Sequence, residues 1–263
     1  MTPAGPDLTD DAFLGGRLNV LQPRSGFRAG IDAVFLAAAV PLGGDGDCRI
    51  LDVGAGSGIG GLSVLVRAPV ARLTGVDIDP DLVARAERNA ERNGMSDRAR
   101  FVAGDVRAGG PALEASGLEA NTFDHVIANP PFFSTGTVRN SPHPSKDRAN
   151  VMEEGDLEGW ARFLAAAARS GGTVTVVHRA DALAAVLDAL APRFGSVHVF
   201  PFFPREGQPA SRILVQGRKG SRAPLTLLPG LVLHDADGGF TPPAAAVLRE
   251  GAALPLETDC GQA

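Results

Sequence analysis

Apolar positions along the chain fall into two rhythms. Short stretches with a core of aliphatic or aromatic residues, bounded by glycine, proline or charge, read as buried strands. Longer stretches with apolar residues three and four apart read as helices. Runs of the first kind occupy residues 49–53, 73–77, 101–102, 123–128 and 173–177. Stretches of the second kind occupy 31–39, about 60–68, 81–93, 157–168 and 180–191. The first of these helices is stopped at Pro41, and in 81–93 the charges gather opposite Leu82, Val83 and Ala86. Three more strand-like runs, 197–200, 212–216 and 225–234, follow with Gly/Pro/Arg-rich turns and no helix between them. Residues 1–28, mixed in Gly, Pro and Asp, predict irregular chain.

Strands alternating with helices predict βαβ units, and so an α/β fold with a mostly parallel sheet and helices on both faces. Consecutive strands at the end predict antiparallel additions at one edge. No internal repeat or low-complexity tract interrupts this order.

Composition changes the picture only by exclusion. The chain has 263 residues, 44% apolar and 21% charged, which fits a globular protein and not a disordered one. No uncharged apolar run approaches the roughly 18–20 residues that span a bilayer. Met1 to Asp11 is acidic and lacks the basic and apolar regions of an export signal, so a cytoplasmic protein is expected. Cys48 and Cys260 lie far apart with no CxxC or CxxxH spacing, which excludes a disulfide framework and argues against a metal site. Lys+Arg number 25 against 30 Asp+Glu, a net charge of −5. A nucleic-acid partner must then be met by local basic patches. Two candidates stand out: Arg205, Arg212, Arg218, Lys219 and Arg222 against Glu206 alone, and Arg139, His143, Lys146 and Arg148.

The candidate chemistry gathers where strands end. After the first strand comes Asp52-Val53-Gly54-Ala55-Gly56-Ser57-Gly58, a turn whose alternate glycines leave room for a ligand at a helix N-terminus. The second strand ends in Asp77, placed to accept from both hydroxyls of a ribose. An adenosine-containing ligand across the strand ends follows from the pair. The glycines alone fit either S-adenosylmethionine (SAM) or a dinucleotide, since Gly56-x-Gly58-x-x-Gly61 also matches the dinucleotide spacing. Two aspartates favour SAM. Asp52 would sit near a cationic amino-acid moiety and repel a pyrophosphate, and Asp105 is placed to accept from an adenine amino group, although a lone aspartate there also reads as a helix cap. Ile78 and Val106, next to Asp77 and Asp105, join the cofactor set.

The fourth strand ends in Asn129-Pro130-Pro131-Phe132. Two prolines make a rigid loop whose carbonyls point where the backbone dictates. This suits methylation of a planar amine. Hydrogen bonds to the Asn129 side-chain oxygen and the Pro130 carbonyl free the nitrogen lone pair, and Phe132 stacks on the base. Phe133 reads equally as packing or substrate contact.

These residues, in this order and spacing, resemble the class I SAM-dependent methyltransferases that act on exocyclic amines. More narrowly, Gly26-Phe27-Arg28-Ala29-Gly30-Ile31-Asp32-Ala33, Lys146-Asp147-Arg148-Ala149 and the block from Pro204 to Gly220 are similar to the bacterial valine-tRNA adenine-N6 methyltransferases. The resemblance covers about residues 15–250. It implies a Rossmann-like, seven-stranded sheet with its last strands antiparallel, SAM as cofactor, and adenine N6 of a tRNA as target. It implies that Gly54, Gly56 and Gly58 line SAM, that Asp77 takes the ribose and Asp105 the adenine, and that Gly30 and Asp32 close over the cofactor. Residues 1–40 become a covering segment, 41–250 the methyltransferase domain and 251–263 a tail. Phe132 departs from the Tyr of many relatives; stacking survives, but a hydroxyl hydrogen bond does not.

For an RNA substrate, Phe133, Arg139, Lys146, Arg148, Arg205, Arg212, Arg218 and Lys219 are the expected contacts. Guanine N2 in rRNA, adenine in DNA and a protein glutamine amide are served by the same loop. An NAD(P)-dependent oxidoreductase would use the glycine turn and Asp77 but leaves Asn129–Phe132 unexplained. A module that binds SAM or RNA without turnover leaves that loop idle.

Overall fold

A computed structural model of the chain describes residues 7–25, 28–42, 48–131 and 156–256. The chain opens with a hairpin, β1 (Leu8–Phe13) and β2 (Leu18–Pro23), followed by α1 (Ile31–Ala38). Then comes the alternation β3 (Arg49–Val53), α2 (Ile59–Arg67), β4 (Arg72–Asp77), α3 (Pro80–Arg92), β5 (Ala99–Ala103), α4 (Gly110–Ala115) and β6 (Phe123–Ala128). After α5 (Asp156–Ala167) follow β7 (Ala168–Arg179), α6 (Leu183–Leu190), β8 (Phe194–Phe203) and β9 (Arg212–Lys219). The described chain closes with β10 (Thr226–Leu227), β11 (Leu231–Val232), α7 (Pro242–Ala245) and a π turn over Ala246–Glu250.

The main sheet runs β10-β8-β9-β7-β6-β3-β4-β5, with β11 also against β8, nine strands in place of the seven expected. Strands β3 to β7 are parallel, and β9 alone is reversed, inserted between β7 and β8. The extra two, β10 and β11, arise because Pro229 and Gly230 break the apolar run at 225–234 into two short pieces, both parallel to β8.

Alternation along the strands builds two layers. Leu51, Val53, Val126 and Val176 meet Phe163, Leu164 and Val186 of the α5 and α6 layer. Ile50, Ile127 and Val177 meet Leu36, Leu62 and Ala86 of α1, α2 and α3. Helix α3 starts cleanly because Asp79 accepts from the Asp81 N–H at 2.9 Å and Pro80 occupies the first turn. At the edge, Phe35, Phe200, Phe202, Leu248, Leu254 and Leu256 form a third cluster that ties the C-terminal turn to α1.

The hairpin corrects the expectation of irregular chain over residues 1–28. Its polar positions are satisfied by partners far away: Asp10 pairs with Arg92 and Asp11 with Arg28, each at 2.6 Å. Leu18, Val20 and Leu21 are buried beneath.

Candidate functional site

Strand order diverges at β3: β4 and β5 lie on one side of it, β6 and β7 on the other. In open α/β sheets a crevice forms outside the strand carboxyl ends at such a point. Val53 pairs with Ala128 there, so the turn after β3 and the loop after β6 leave the sheet side by side.

The turn after β3 is held from below. The N–H groups of Gly54 and Ala55 both donate to Val76 O, at 2.8 and 3.0 Å. Gly54 and Gly56 have φ of 71° and 56°, backbone that other residues rarely adopt. They serve different purposes. A Cβ at Gly54 would lie 2.6 Å from the Trp160 ring, so that glycine makes room for protein. A Cβ at Gly56 would meet nothing within 4 Å, so that one faces open space and leaves a place where a ligand can lie against the backbone. Gly58 resembles Gly54: a Cβ there would crowd Phe101 at 3.1 Å.

Asp77, the last residue of β4, is fastened in the crevice. Its Oδ2 accepts from Gly56 N–H at 2.8 Å and its Oδ1 from Asp79 N–H at 3.0 Å. Burial pushes its pKa up against the pull of those amides. Each oxygen keeps a lone pair for a hydroxyl. Beside it Ile78 is 47% exposed, an apolar side chain at the rim suited to the face of a flat ring.

Asp52 lies beneath the turn, buried, with Oδ2 accepting from Gly61 N–H at 2.7 Å in the first turn of α2. Burial pushes its pKa up to about 7, and nearby Asp77 adds to the rise. Asp105 realises the capping alternative. Its Oδ1 accepts from Arg107 N–H at 3.0 Å, and the Arg107 guanidinium grips both oxygens at 2.9 and 2.6 Å, holding the carboxyl below its ordinary range. An adenine amine there would share the carboxylate with Arg107. Val106 turns its side chain into the core.

Asn129 is half-buried, and its amide has no hydrogen-bond partner among the described residues. Pro130 is buried and lines a small void with Trp160, Leu157 and Val176. Trp160, the single tryptophan of the chain, therefore backs both the glycine turn and the proline loop. Helical periodicity marks it only as core, and nothing in the sequence separates it from the other apolar residues of α5. Phe132, Phe133, Arg139, Lys146 and Arg148 lie outside the described residues.

Gly30 caps α1, and a Cβ there would meet nothing within 4 Å. Asp32, expected with the cofactor, and Arg212, expected with RNA, pair with each other at 3.0 Å. Arg212 stands opposite Arg179 at the carboxyl end of β7, so this bond anchors α1 at the rim of the crevice.

The basic block from Arg205 to Arg222 does not form one patch. Strand β9 crosses the sheet, so Arg212 and Lys219 stand about 24 Å apart at opposite ends. Arg205 sits in the exposed turn between β8 and β9 on the crevice side. Arg218 pairs with Thr173 toward the far end and donates to Gly171 O at 2.8 Å. The Lys219 ammonium spends its three N–H groups on Asn121 Oδ1, Ala165 O and Ala168 O at 2.7, 2.5 and 2.8 Å. It caps the end of α5 and is no free cation. Among the described residues no group of three or more His, Cys, Asp or Glu could hold a metal.

Comparison with known proteins converges on one chemistry. Residues 33–142 match the family model described as the methyltransferase small domain. A solved structure described as a predicted O-methyltransferase, protein Atu636 from Agrobacterium tumefaciens, is 31% identical with a TM-score of 0.71, covering 85% of this chain and 98% of that one. The tRNA1(Val) (adenine(37)-N6)-methyltransferase of Porphyromonas gingivalis is 28% identical over 88% of this chain and 91% of its own length. The release factor glutamine methyltransferase of Chlorobaculum tepidum is 33% identical over 57% of this chain, which spans about half of that relative, 52%.

Proposed function

Since the chain belongs to the SAM-dependent methyltransferases, we propose that it methylates an exocyclic amine, adenine N6 of a tRNA. The observation that carries the reading is the Val53–Ala128 register, which sets Asn129-Pro130-Pro131 beside the glycine turn. The residues suit the cofactor: Gly56 leaves a cradle that a Cβ would fill, Asp77 presents a fixed acceptor for a ribose, and Ile78 offers an apolar face. Bound SAM supplies an electrophilic methyl group on a positively charged sulfur.

This chain's residues then act on the acceptor. The amine donates its two N–H groups to Asn129 Oδ1 and the Pro130 carbonyl. Both acceptors are held on a loop whose φ angles proline fixes. The nitrogen lone pair is thereby withdrawn from the ring and aimed across the crevice. A hydroxyl has one proton and would leave one acceptor unused, which favours nitrogen over oxygen as the methylated atom. The methylated amine is acidic enough to lose its proton to water, and no strong base is needed. Residues 41–250 carry the transfer in this reading and residues 1–40 cover the cofactor, while the expected tail, residues 251–263, is in part core, since Leu254 and Leu256 pack against α1.

Adenine in tRNA is favoured over a glutamine amide by extent. The tRNA-modifying relative aligns over 91% of its length, and the release-factor relative over 52%. The glutamine reading keeps a claim of its own, because a carboxamide also offers two N–H groups and that relative shares 33% identity. No described helix is long and apolar enough to cross a membrane, and a tRNA-modifying enzyme would work in the cytoplasm.

The test is tritium transfer from labelled SAM to tRNA, rRNA, DNA and a release factor, followed by analysis of the labelled product. N6-methyladenosine in the tRNA pool is expected. Label confined to another pool replaces the substrate, and no label anywhere removes the catalytic reading.

A further inference from the structure

Among the described residues, no strand covers the outer edge of β2 in the two-stranded hairpin sheet. β2 pairs with β1 along one side, and its other side faces α3. There Asn89 and Asn93, one helical turn apart, stand in for a neighbouring strand. Asn93 Oδ1 accepts from Asn19 N–H at 3.0 Å and its Nδ2 donates to Asn19 O at 2.8 Å. Asn89 Oδ1 accepts from Leu21 N–H at 2.8 Å and its Nδ2 donates to Leu21 O at 3.1 Å. The match is metrical: four residues of helix rise about 6 Å and two residues of strand span about 6.8 Å.

Asn89 makes one bond more. Its Nδ2 also donates to Ser57 O at 2.9 Å, the carbonyl between Gly56 and Gly58. The side chain is fully buried at 0% exposure, and every hydrogen of its amide has a partner. Asn93, nearer the surface, makes no bond to the glycine turn.

We infer that Asn89 is a positioning residue for the cofactor, its buried amide locking the Ser57 carbonyl of the glycine turn to strand β2 so that the turn's shape and the docking of the N-terminal hairpin are coupled. The inference rests on SAM lying against that turn. Asn89 touches neither SAM nor the acceptor; it acts through the backbone that Gly56 presents.

Asn93 supplies the control, because it docks the same strand without touching the turn. The measurement is SAM affinity by calorimetry together with KM for SAM and kcat, on wild type, Asn89→Ala and Asn93→Ala. Wild type that does not bind SAM removes the underlying reading and this inference together. With wild type binding, Asn89→Ala is expected to raise the dissociation constant and KM for SAM about tenfold, the scale of one buried hydrogen bond, with kcat at saturation little changed. Asn93→Ala is expected to stay within about twofold on every count while lowering the melting temperature. Equal losses in both variants would make Asn89 a hairpin anchor only, and an unchanged KM in Asn89→Ala would overturn the coupling.

A second measurement needs no variant and covers the case that Asn89→Ala fails to fold. Hydrogen exchange on the wild-type chain, with and without SAM, is expected to slow the Leu21 amide more than the amides of β9. Equal slowing in both places would overturn the inference.

Discussion

Asp52 shows how far the fold changes one side chain. An aspartate that ordinarily titrates near 3.8 is pushed up to about 7, because burial outweighs the Gly61 N–H it accepts. Between those values the folded protein holds a proton that the unfolded chain has lost. The stability this group contributes is therefore full below the unfolded value and is lost as pH rises through about 7. Asp52→Asn keeps an oxygen for Gly61 and removes the titration. Denaturant unfolding at pH 5 and pH 8 should show wild type losing a few kcal/mol relative to Asp52→Asn over that interval. Parallel pH dependences would sink the assignment. A cation in the crevice would draw the same proton off, so SAM affinity should rise with pH toward 7 in wild type and rise less steeply in Asp52→Asn, where Asp77 alone remains to titrate. Asn129 belongs at this scale too. Asn129→Ala should lower turnover by about 10²-fold or more while SAM affinity holds; equal losses in both would make it a binding group. Asp52, Asp77 and Asn129 were legible in the sequence because each stands at or within one residue of the carboxyl end of a strand. Asn89 was not, since its partners Leu21 and Ser57 are 68 and 32 positions away and nothing local points to them.

Elements were legible where a short apolar core between turn signals marks a buried strand, as in β3 and β6, whose bounds match the stretches 49–53 and 123–128. They were hidden where tertiary partners satisfy polar residues. Asp10 and Asp11 disguise β1 as loop, and in the fold Arg92 satisfies the first while Arg28, Gln22 and Thr9 satisfy the second. The same blindness misplaced Lys219, whose charge reads as phosphate-binding until β9 carries it to the end of α5. Lys219→Met leaves two helix-end carbonyls without their donor and should cost about 1–3 kcal/mol in denaturant unfolding. RNA affinity should not change. A weaker complex with unchanged stability would restore the lysine to the interface. Close approach of elements matters as well: a Cβ at Gly159 would lie 2.1 Å from Arg107 O, so only glycine lets α5 come near enough for Trp160 to reach Gly54.

The whole molecule carries a net charge of −5, so an RNA that reaches Asn129 meets general repulsion and must be held by cations at the crevice end of the sheet. Among the described residues of the 205–222 block, Arg205 qualifies: it is exposed in the turn that follows β8, three strands from β6 and about 14 Å across the sheet from Asn129. Arg212 stands at the same end but is committed to Asp32, and Arg218 lies toward the opposite end. Arg205→Ala should weaken RNA binding and flatten the slope of log affinity against log salt by about 0.7, the value for one phosphate contact on a single strand. Arg218→Ala should leave both quantities unchanged. Filter binding of tRNA between 50 and roughly 200 mM salt separates the outcomes over the range where such slopes are measured. Equal losses would mean that the RNA embraces both ends of the sheet. Loss from Arg218→Ala alone would place the RNA on the far end, out of reach of Asn129, and would leave the glutamine amide as the acceptor that the loop is built to hold.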